Sequence, residues 1–244
     1  MSTISQSVLE RLRAFDTPTI CNLVELFEVR PQNTGFMDAR IKACFPELPP
    51  MVGFATTATF RAAALAASDA YSSLEDKAAL FAELPAPPIV VFEDLDTPCA
   101  AATFGEVMCT TYQTFGAAGL ITSGTGRDLE QVGKLQFPVF TNGAVCSHGY
   151  CHIPSIQVPV TVGGLSVSPG DLLHGDCNGV TSIPLDIAAD VADACEPFMA
   201  AEAVIFDYLQ TGDVTPGGLR AATGECHRQI DALREQIASK RTDT

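Results

Sequence analysis

The chain has 244 residues, of which 47% are hydrophobic and 18% are charged, and its formal net charge is −15 at pH 7. This composition supports a sizeable buried core and excludes the disorder that low hydrophobicity combined with high charge produces. Because phosphate backbones are bound by clustered Lys and Arg, and only 14 such residues are spread along this acidic chain, we expect no nucleic-acid partner.

The sequence also carries information about the cellular compartment. No stretch is long and apolar enough to predict a membrane span, and the first residues lack the basic start and apolar core of a secretory signal. We therefore expect a cytoplasmic protein with no membrane partner. Its nine Cys have no repeating spacing, which favours reduced thiols over a disulfide framework.

The hydrophobic pattern predicts alternating helices and strands. Two helices are predicted near the N-terminus, the second with Thr17 as its N-cap and Pro18 at its first helical position. Further strands are predicted at 51–63, 87–94 and 118–124, and further helices at 68–83 and 106–115. The strand–helix–strand order around the last of these helices is that of a βαβ crossover.

The second half of the chain has a different pattern. Residues 158–184 contain short strands separated by Gly, Pro and Asp turns, which is typical of hairpins or a barrel edge. From Pro184 onward two helices are predicted, separated by residues 211–218. No composition break marks a linker, so the sequence favours one mixed α/β domain over residues 1–244, with N-terminal helices and a C-terminal helical extension.

A group of charged residues stands where two predicted strands end. Glu106 follows Gly105 at the start of a helix, and Arg127 and Asp128 follow the next strand and its glycine-rich turn. Because ligands in open α/β sheets bind outside the carboxyl ends of strands, adjacent crossover strands would bring these residues together. The sequence predicts a site with two carboxylates, one guanidinium and a helix N-terminus.

Each part of this predicted site has a chemical use. Two carboxylates can hold a divalent metal directly or through water, and Arg127 offers a planar fork for a substrate carboxylate. The backbone N–H groups of Val107 and Met108 could bind the same anion. Together these groups suit a 2-oxo acid, whose enolate a metal would stabilise as a Lewis acid.

A structural interpretation remains open for the same residues. An Arg–Asp pair can simply cap a helix and bridge to a neighbouring chain, and a carboxylate in the first turn of a helix is favoured by the helix dipole alone. Spacing does not decide between this interpretation and a functional site for Glu106, Arg127 and Asp128.

The segment 105–132, GEVMCTTYQTFGAAGLITSGTGRDLEQV, resembles the signature of a known family. That family contains the 4-hydroxy-4-methyl-2-oxoglutarate aldolases and the proteins similar to regulator of RNase E activity A. The shared pattern is a Gly–acid pair, a helix, a strand, a glycine and Arg–Asp. Segments 16–25, 51–60, 138–143 and 158–184 also resemble the family, so the resemblance covers most of the chain.

The resemblance implies a fold and a set of roles. The fold would be an αββα sandwich similar to the swivelling phosphohistidine domain, assembled as trimers or paired trimers with the site between subunits. Asp128 would bind Mg²⁺ or Mn²⁺ directly, and Glu106 would bind it through water. Arg127 and the N–H groups of Val107 and Met108 would hold the pyruvoyl group of a 2-oxo acid substrate.

A Glu from the C-terminal helix of a neighbouring subunit completes the family's site. Glu202 is the best match for this ligand, and Glu196 is the second.

The chain departs from the family pattern near the turn. Ser123, which we expect to bind substrate, stands where the family often has Asp or Asn, and Gly126 replaces an apolar residue. Gln131 stands three positions after Asp128, where an acidic residue is usual, and Glu130 lies one place early. These departures leave the choice of substrate open.

Residues 146–152, CSHGYCH, raise the question of a zinc site. Cys146, His148, Cys151 and His152 lie within seven residues, but their spacing lacks the paired Cys and paired His pattern of common zinc sites. A strand and loop is the preferred interpretation, with His148 or His152 lining the pocket as an alternative.

Further polar residues have structural explanations. Asp171, His174 and Asp176 lie in a segment that Asp–Gly and Asn–Gly turns largely explain. Asn22 and Asp94 lie in segments similar to the family and are interpreted as supporting or structural residues.

The sequence therefore favours a divalent-metal-dependent lyase that cleaves a 4-hydroxy-2-oxo acid to pyruvate, with oxaloacetate decarboxylation as a side activity. A Schiff-base aldolase would need a buried Lys, and the lysine near the motif, Lys134, lies at a polar helix end. Two alternatives remain: a non-catalytic regulator that binds a ribonuclease or helicase, and a different metal-dependent oxo-acid reaction, such as hydration or isomerisation.

Overall fold

The computed structural model describes residues 4–66, 73–83 and 87–242. The helices are α1 (Gln6–Arg13), α2 (Thr17–Leu26), α3 (Leu74–Ala79), α4 (Glu106–Thr114), α5 (Leu129–Lys134), α6 (Ala188–Gln210) and α7 (Pro216–Thr242), with a 3₁₀ turn at Leu80–Glu83. The strands are β1 (Lys42–Ala43), β2 (Met51–Phe60), β3 (Pro88–Asp94), β4 (Ala102–Phe104), β5 (Gly119–Thr122), β6 (Thr125–Gly126), β7 (Val139–Thr141), β8 (Val160–Val162), β9 (Leu165–Val167), β10 (Leu172–Asp176) and β11 (Gly179–Ile183).

Seven of these strands form the central sheet, in the order β1-β7-β5-β3-β2-β10-β11. Strands β2, β3, β5 and β7 run parallel, whereas β1, β10 and β11 pair antiparallel with their neighbours. Nearly every side chain of β2 and β3 is buried. This burial explains their continuous apolar and β-branched sequence, because a central parallel strand is covered on both faces.

Alternate residues of β2 pack into different layers. Val52 and Phe54 contact the cluster formed with α1, α2 and α6, whereas Ala58 and Phe60 belong to the cluster beneath α4 and α5. Met51 and Ala55 instead join the cluster that includes the β8–β9 hairpin. Layers of helix and strand on a mixed sheet confirm the predicted α/β class.

The N-terminus of α2 differs from the sequence prediction. The N-cap is Asp16, whose side chain accepts a hydrogen bond from the N–H of Thr19 at 3.0 Å. Thr17 is already helical, and its N–H donates to Oδ2 of Asp176 at 2.8 Å. The prediction of Thr17 as N-cap is wrong because Asp16 is extended and supplies the capping carboxylate instead.

The other predicted helices agree with the structure in their described parts. Helix α3 begins after a Ser73 capping box, and the predicted helix over 68–83 falls partly on residues outside the described ranges. Helix α4 ends just before Gly116, and α6 and α7 form the two predicted C-terminal helices. Within the described ranges, no helix is long and apolar enough to span a membrane. The single domain over residues 1–244 stays a prediction.

The predicted βαβ crossover is present, since β3 and β5 are parallel neighbours on either side of α4 in sequence. The chain then departs from the expected geometry. After β3 and after β5 it leaves the large sheet and forms a separate parallel pair, β4 and β6. The carboxyl ends of this small pair, and not those of β3 and β5, lead into the predicted site.

Candidate active site

The β4–β6 pair places the two halves of the predicted site side by side. The N–H of Arg127 donates to the carbonyl of Phe104 at 3.1 Å, directly across the two strand ends. Helix α4 begins at Glu106 on one side, and α5 begins after Asp128 on the other. The structure therefore brings together Glu106, Arg127 and Asp128, which the sequence grouped from strand order alone.

Asp128 links the two halves. It has a left-handed backbone conformation, with φ of 55°, which Asp tolerates better than most residues. Its Oδ2 accepts a hydrogen bond from the N–H of Glu106 at 3.1 Å, and Nε of Arg127 lies 3.7 Å from the same oxygen. The side chains of Arg127 and Asp128 are each 36% exposed, so both remain accessible to a ligand.

Glycine at position 105 is required by this close approach. A Cβ built on Gly105 would lie 2.7 Å from Oδ2 of Asp128 and 3.1 Å from Nε of Arg127. A distance below 3.0 Å is closer than a real side chain tolerates, so any larger residue would push the carboxylate away from α4.

The first turn of α4 offers two free backbone donors. The N–H of Glu106 is used by Asp128, and the N–H of Cys109 donates to the carbonyl of Gly105 at 3.0 Å. Within the described residues, the N–H groups of Val107 and Met108 have no such partner, as the first N–H groups of a helix ordinarily lack one. They remain available for an anion at the positive end of the helix dipole.

A cleft of about 250 Å³ lies over this turn. Its lining includes Glu106, Val107, Met108, Arg127, Leu74, His148 and Cys151. The last two come from the loop that raised the question of zinc. The volume suits a small organic acid, since pockets for drug-sized ligands begin at about 300 Å³.

The oxygen donors at this site, Glu106 in the cleft lining and Asp128 beside it, suit a magnesium-like ion. Glu106 and Asp128 are hard carboxylate ligands, and Mg²⁺ is commonly held by one or two carboxylates together with water. Among the residues that the structure describes, no three His, Cys, Asp or Glu side chains form a metal-binding group. One chain therefore supplies two carboxylates at this site, and further ligands would be water, substrate or a neighbouring subunit.

Glu202 lies elsewhere in the chain. It stands on α6, where burial and the nearby Asp16 carboxylate raise its pKa. Helix α6 packs against α1, α2 and α7. The structure does not bring Glu202 to Glu106 and Asp128 within one chain, and its role as a ligand supplied by a neighbour stays a prediction.

The side chain of Ser123 makes a hydrogen bond within the protein. Its Oγ accepts a hydrogen bond from the N–H of Asp94 at 2.9 Å, and Ser123 is not among the residues that line the cleft. Asp94 is buried, its pKa is raised by burial, and its Oδ2 has no hydrogen-bond partner in the described part of the chain. The role of Ser123 in substrate binding stays a prediction without a direct contact to support it.

The other polar candidates are structural. His174 is fully buried; its Nε2 donates to the carbonyl of Leu12 at 3.1 Å, and its Nδ1 accepts from the hydroxyl of Thr17 at 3.0 Å. Burial lowers the pKa of this ring. Asp171 accepts the N–H of Ser168 in a turn, and Asn22 is exposed on α2.

Sequence reasoning missed one buried lysine. Lys77 on α3 is fully buried, and its Nζ donates to the carbonyl of Thr56 at 2.7 Å and lies 5.6 Å from the centre of the Phe92 ring. Burial lowers its pKa well below the usual value. Lys134, by contrast, is exposed at the end of α5, as predicted. The helix predicted over residues 68–83 gave no indication from its sequence that Lys77 would face inward.

A comparison with known protein families identifies the family of the chain. The model of the RraA-like family, described as Aldolase/RraA, matches residues 17–181, which is more than half of the chain. The chain belongs to the RraA-like family. The matched span contains β4, β6, α4 and the whole Glu106–Asp128 segment, whereas α6 and α7 lie beyond it.

Three curated relatives are similar to parts of this RraA-like chain. A Halalkalibacterium halodurans protein with the provisional name 4-hydroxy-4-methyl-2-oxoglutarate aldolase is 35% identical over 96 residues, which is 39% of this chain and 46% of that protein. An uncharacterized Methanocaldococcus jannaschii protein, MJ0644, is 29% identical over 46% of this chain and 54% of its own length. The match thus spans about half of each of these curated relatives. Legionella pneumophila DlpA is 26% identical over 43% of this chain and 17% of its own length.

Solved structures share the fold at low sequence identity. An uncharacterized protein from Pseudomonas syringae pv. tomato aligns with a TM-score of 0.72 and 22% identity, over 91% of this chain and 95% of that one. Streptomyces coelicolor RraAS2, described as an unusual member of the RNase ES inhibitor RraA protein family, aligns with a TM-score of 0.64 and 20% identity, over 83% and 97%. At these identities the likeness establishes the RraA-like fold.

Proposed function

We propose that the protein is a divalent-metal-dependent lyase that cleaves a 4-hydroxy-2-oxo acid and releases pyruvate. The observation that carries this proposal is a cleft of about 250 Å³ lined by Arg127, Glu106 and the first turn of α4 with its free N–H groups, with the carboxylate of Asp128 bound to the N–H of Glu106 beside it. A simple structural ion pair needs neither the cleft nor the second carboxylate. The curated relative with an aldolase name supports the same chemistry.

The chain's own groups would bind the pyruvoyl end of the substrate. The guanidinium of Arg127 offers a planar fork to the substrate carboxylate, and the N–H groups of Val107 and Met108 donate to an anionic oxygen. Because Asp128 accepts the N–H of Glu106 and lies near Arg127, both the guanidinium and the helix end are held before substrate arrives. This preorganisation favours the charge that develops on the enolate.

The donor set suits Mg²⁺ or Mn²⁺, which Asp128 would hold directly and Glu106 through water. When bound, the ion would act as a Lewis acid on the 2-oxo group. Loss of CO₂ from oxaloacetate passes through the same pyruvate enolate, so this decarboxylation is the expected side activity.

The proposal includes a trimer or a dimer of trimers in which a neighbouring subunit contributes Glu202. Two features support an intersubunit role for α6. Among the described residues, no three possible metal ligands come together within one chain, and α6 exposes the large apolar side chains of Met199 and Phe206, which are 41% and 57% exposed. Exposed apolar surface of this kind is common where subunits meet.

The test is cleavage of 4-hydroxy-4-methyl-2-oxoglutarate by the purified protein, with pyruvate measured in the presence of Mg²⁺ or Mn²⁺. Each molecule cleaved should give two pyruvates. Tight metal binding without cleavage of this or related 4-hydroxy-2-oxo acids would favour another oxo-acid reaction, such as hydration or isomerisation. Neither metal binding nor turnover would favour a non-catalytic regulator of a ribonuclease or helicase.

A further inference from the structure

The loop that carries His148 is tied to both strands of the site. The N–H of Val145 donates to the carbonyl of Gly126 on β6 at 3.0 Å, and the N–H of Ala102 on β4 donates to the carbonyl of Ser147 at 2.8 Å. Because β4 and β6 lead into the site, these two bonds place His148 in the wall of the same cleft.

The hydrogen bonds of His148 define which ring nitrogen is free. Its Nδ1 lies 2.8 Å from the carbonyl oxygen of Gly149 and 4.0 Å from Sγ of Cys151. A carbonyl can only accept, so Nδ1 carries the hydrogen in the neutral ring, and Nε2 carries the lone pair. No residue in the described ranges hydrogen-bonds to Nε2, which is the arrangement of a side chain that can accept a proton from a ligand.

We propose that His148 is the general base that removes the proton from the C4 hydroxyl of the substrate. This assignment rests on the proposed lyase function. The cleft is also lined by Arg127 and the first turn of α4, so an acid that binds there by its pyruvoyl end extends its C4 hydroxyl toward the rest of the lining. Arg127, Lys77 and Lys134 cannot serve: a guanidinium stays protonated, Lys77 is buried away from the cleft lining, and Lys134 is outside it.

The proton and electron transfers balance with no further reactant. Nε2 takes the proton of the C4 hydroxyl, the O–H pair becomes the π bond of the new C4 carbonyl, and the C3–C4 bond breaks. Its electron pair forms the C2–C3 double bond, while the C2 carbonyl pair moves to oxygen and gives the enolate. The imidazolium then returns the proton to C3, which yields pyruvate, the second carbonyl product and neutral His148.

Activity on oxaloacetate distinguishes the loss of a general base at His148 from general damage to the site. It has no C4 hydroxyl, and loss of CO₂ gives the enolate without removal of a hydroxyl proton. His148→Asn keeps an N–H donor for the Gly149 carbonyl and removes the base. We expect this variant to lower kcat for cleavage of 4-hydroxy-4-methyl-2-oxoglutarate about 100-fold more than kcat for oxaloacetate decarboxylation.

The matched control is His152→Asn in the same loop. The Nδ1 of His152 lies 2.8 Å from the carbonyl of Tyr150, as that of His148 lies near the carbonyl of Gly149, but His152 is not part of the cleft lining. This control should keep the wild-type ratio of the two activities.

Added imidazole should partly restore cleavage by His148→Asn, because position 148 is exposed. A purely structural role of His148 would not respond to imidazole. If the Asn variant does not fold, His148→Gln provides the same test.

Equal loss of both activities in a folded His148 variant, or full cleavage activity, would overturn the assignment of the base. The absence of both activities in the wild-type protein would instead overturn the proposed function and the base together. The two failures are therefore distinguishable.

Discussion

The carboxylate of Asp128 accepts a hydrogen bond from the backbone N–H of Glu106 at 3.1 Å, although the two residues are 22 positions apart. One side chain thus caps the start of α4 and, in the proposed function, also binds the metal. Both tasks depend on the left-handed backbone at Asp128 and on the absence of a side chain at Gly105.

Replacing Asp128 separates the capping task from the metal task. Asn accepts the same N–H and tolerates the left-handed conformation, but it lacks the negative charge that a divalent ion requires. We expect Asp128→Asn to remain folded and to lose metal-dependent turnover by about 100-fold or more, as measured by steady-state kinetics and calorimetric metal titration. Asp128→Ala should be inactive as well. Full metal-dependent activity in either variant would contradict the assignment of Asp128.

Arg127 is expected to bind substrate and not metal. Arg127→Ala should reduce kcat/KM by about 100-fold or more while metal affinity stays close to that of the wild type. Arg127→Lys, which keeps the charge but loses the planar fork, should recover only part of the activity. Collapse of the fold in Arg127→Ala, seen in thermal unfolding, would favour the structural ion pair instead.

Gly105 tests the geometry of the site without changing a functional group. Gly105→Ala places a Cβ only 2.7 Å from Oδ2 of Asp128, so the carboxylate must shift, and we expect a loss of turnover in a protein that still folds. The control is Gly217→Ala near the start of α7, where the added Cβ has only the hydroxyl of Thr215 at 4.0 Å nearby. Equal activity of both variants would show that the close approach at Gly105 is not needed.

Mixed oligomers test the contribution of Glu202 from a neighbour. Glu202→Gln and Asp128→Ala should each be inactive alone, because each removes one ligand from every site. After the two are unfolded and refolded together, about a quarter of the sites should combine an intact Asp128 with an intact Glu202 from the adjacent subunit. Activity should therefore return on mixing, and continued inactivity of a folded mixture would argue against a ligand shared between subunits.

Buried His174 predicts a pH dependence of stability. Burial lowers its pKa below the usual 6.5, so the unfolded chain binds a proton at a pH where the folded ring does not. The contribution to stability is full above about pH 6.5 and is lost as the pH falls through that value toward the lower folded pKa. Urea unfolding should show this loss in the wild type and a smaller one in His174→Gln. An unchanged pH slope in the variant would show that His174 is not the group responsible.

The main features of the site could be predicted because they lie in short, ordered stretches of sequence. A strand directly precedes Gly105–Glu106, and another directly precedes Arg127–Asp128. Because parallel strands end at the same edge of a sheet, the strand order predicted that the two pairs lie close together. The strands that carry them are nevertheless β4 and β6, which are too short to have a hydrophobic pattern of their own.

Residues that reach their positions through loops or long-range bonds could not be predicted in the same way. His148 lies in the cleft because backbone bonds from Ala102 and Gly126 fix its loop, and no local pattern encodes those bonds. The same holds for Thr17, whose N–H is bound by Asp176 from β10, and for the inward orientation of Lys77.

The measurement that most directly tests the central claim is pyruvate release from oxaloacetate by the purified protein, first with Mg²⁺ and then with excess EDTA, against a blank of Mg²⁺ alone. The reaction needs only the pyruvoyl site and the metal, so it does not depend on knowing the natural substrate. We predict release above the blank that EDTA abolishes and that Asp128→Asn lacks. Release that persists in EDTA or in Asp128→Asn, or no release above the blank, would contradict a metal-dependent enolate site at Glu106, Arg127 and Asp128.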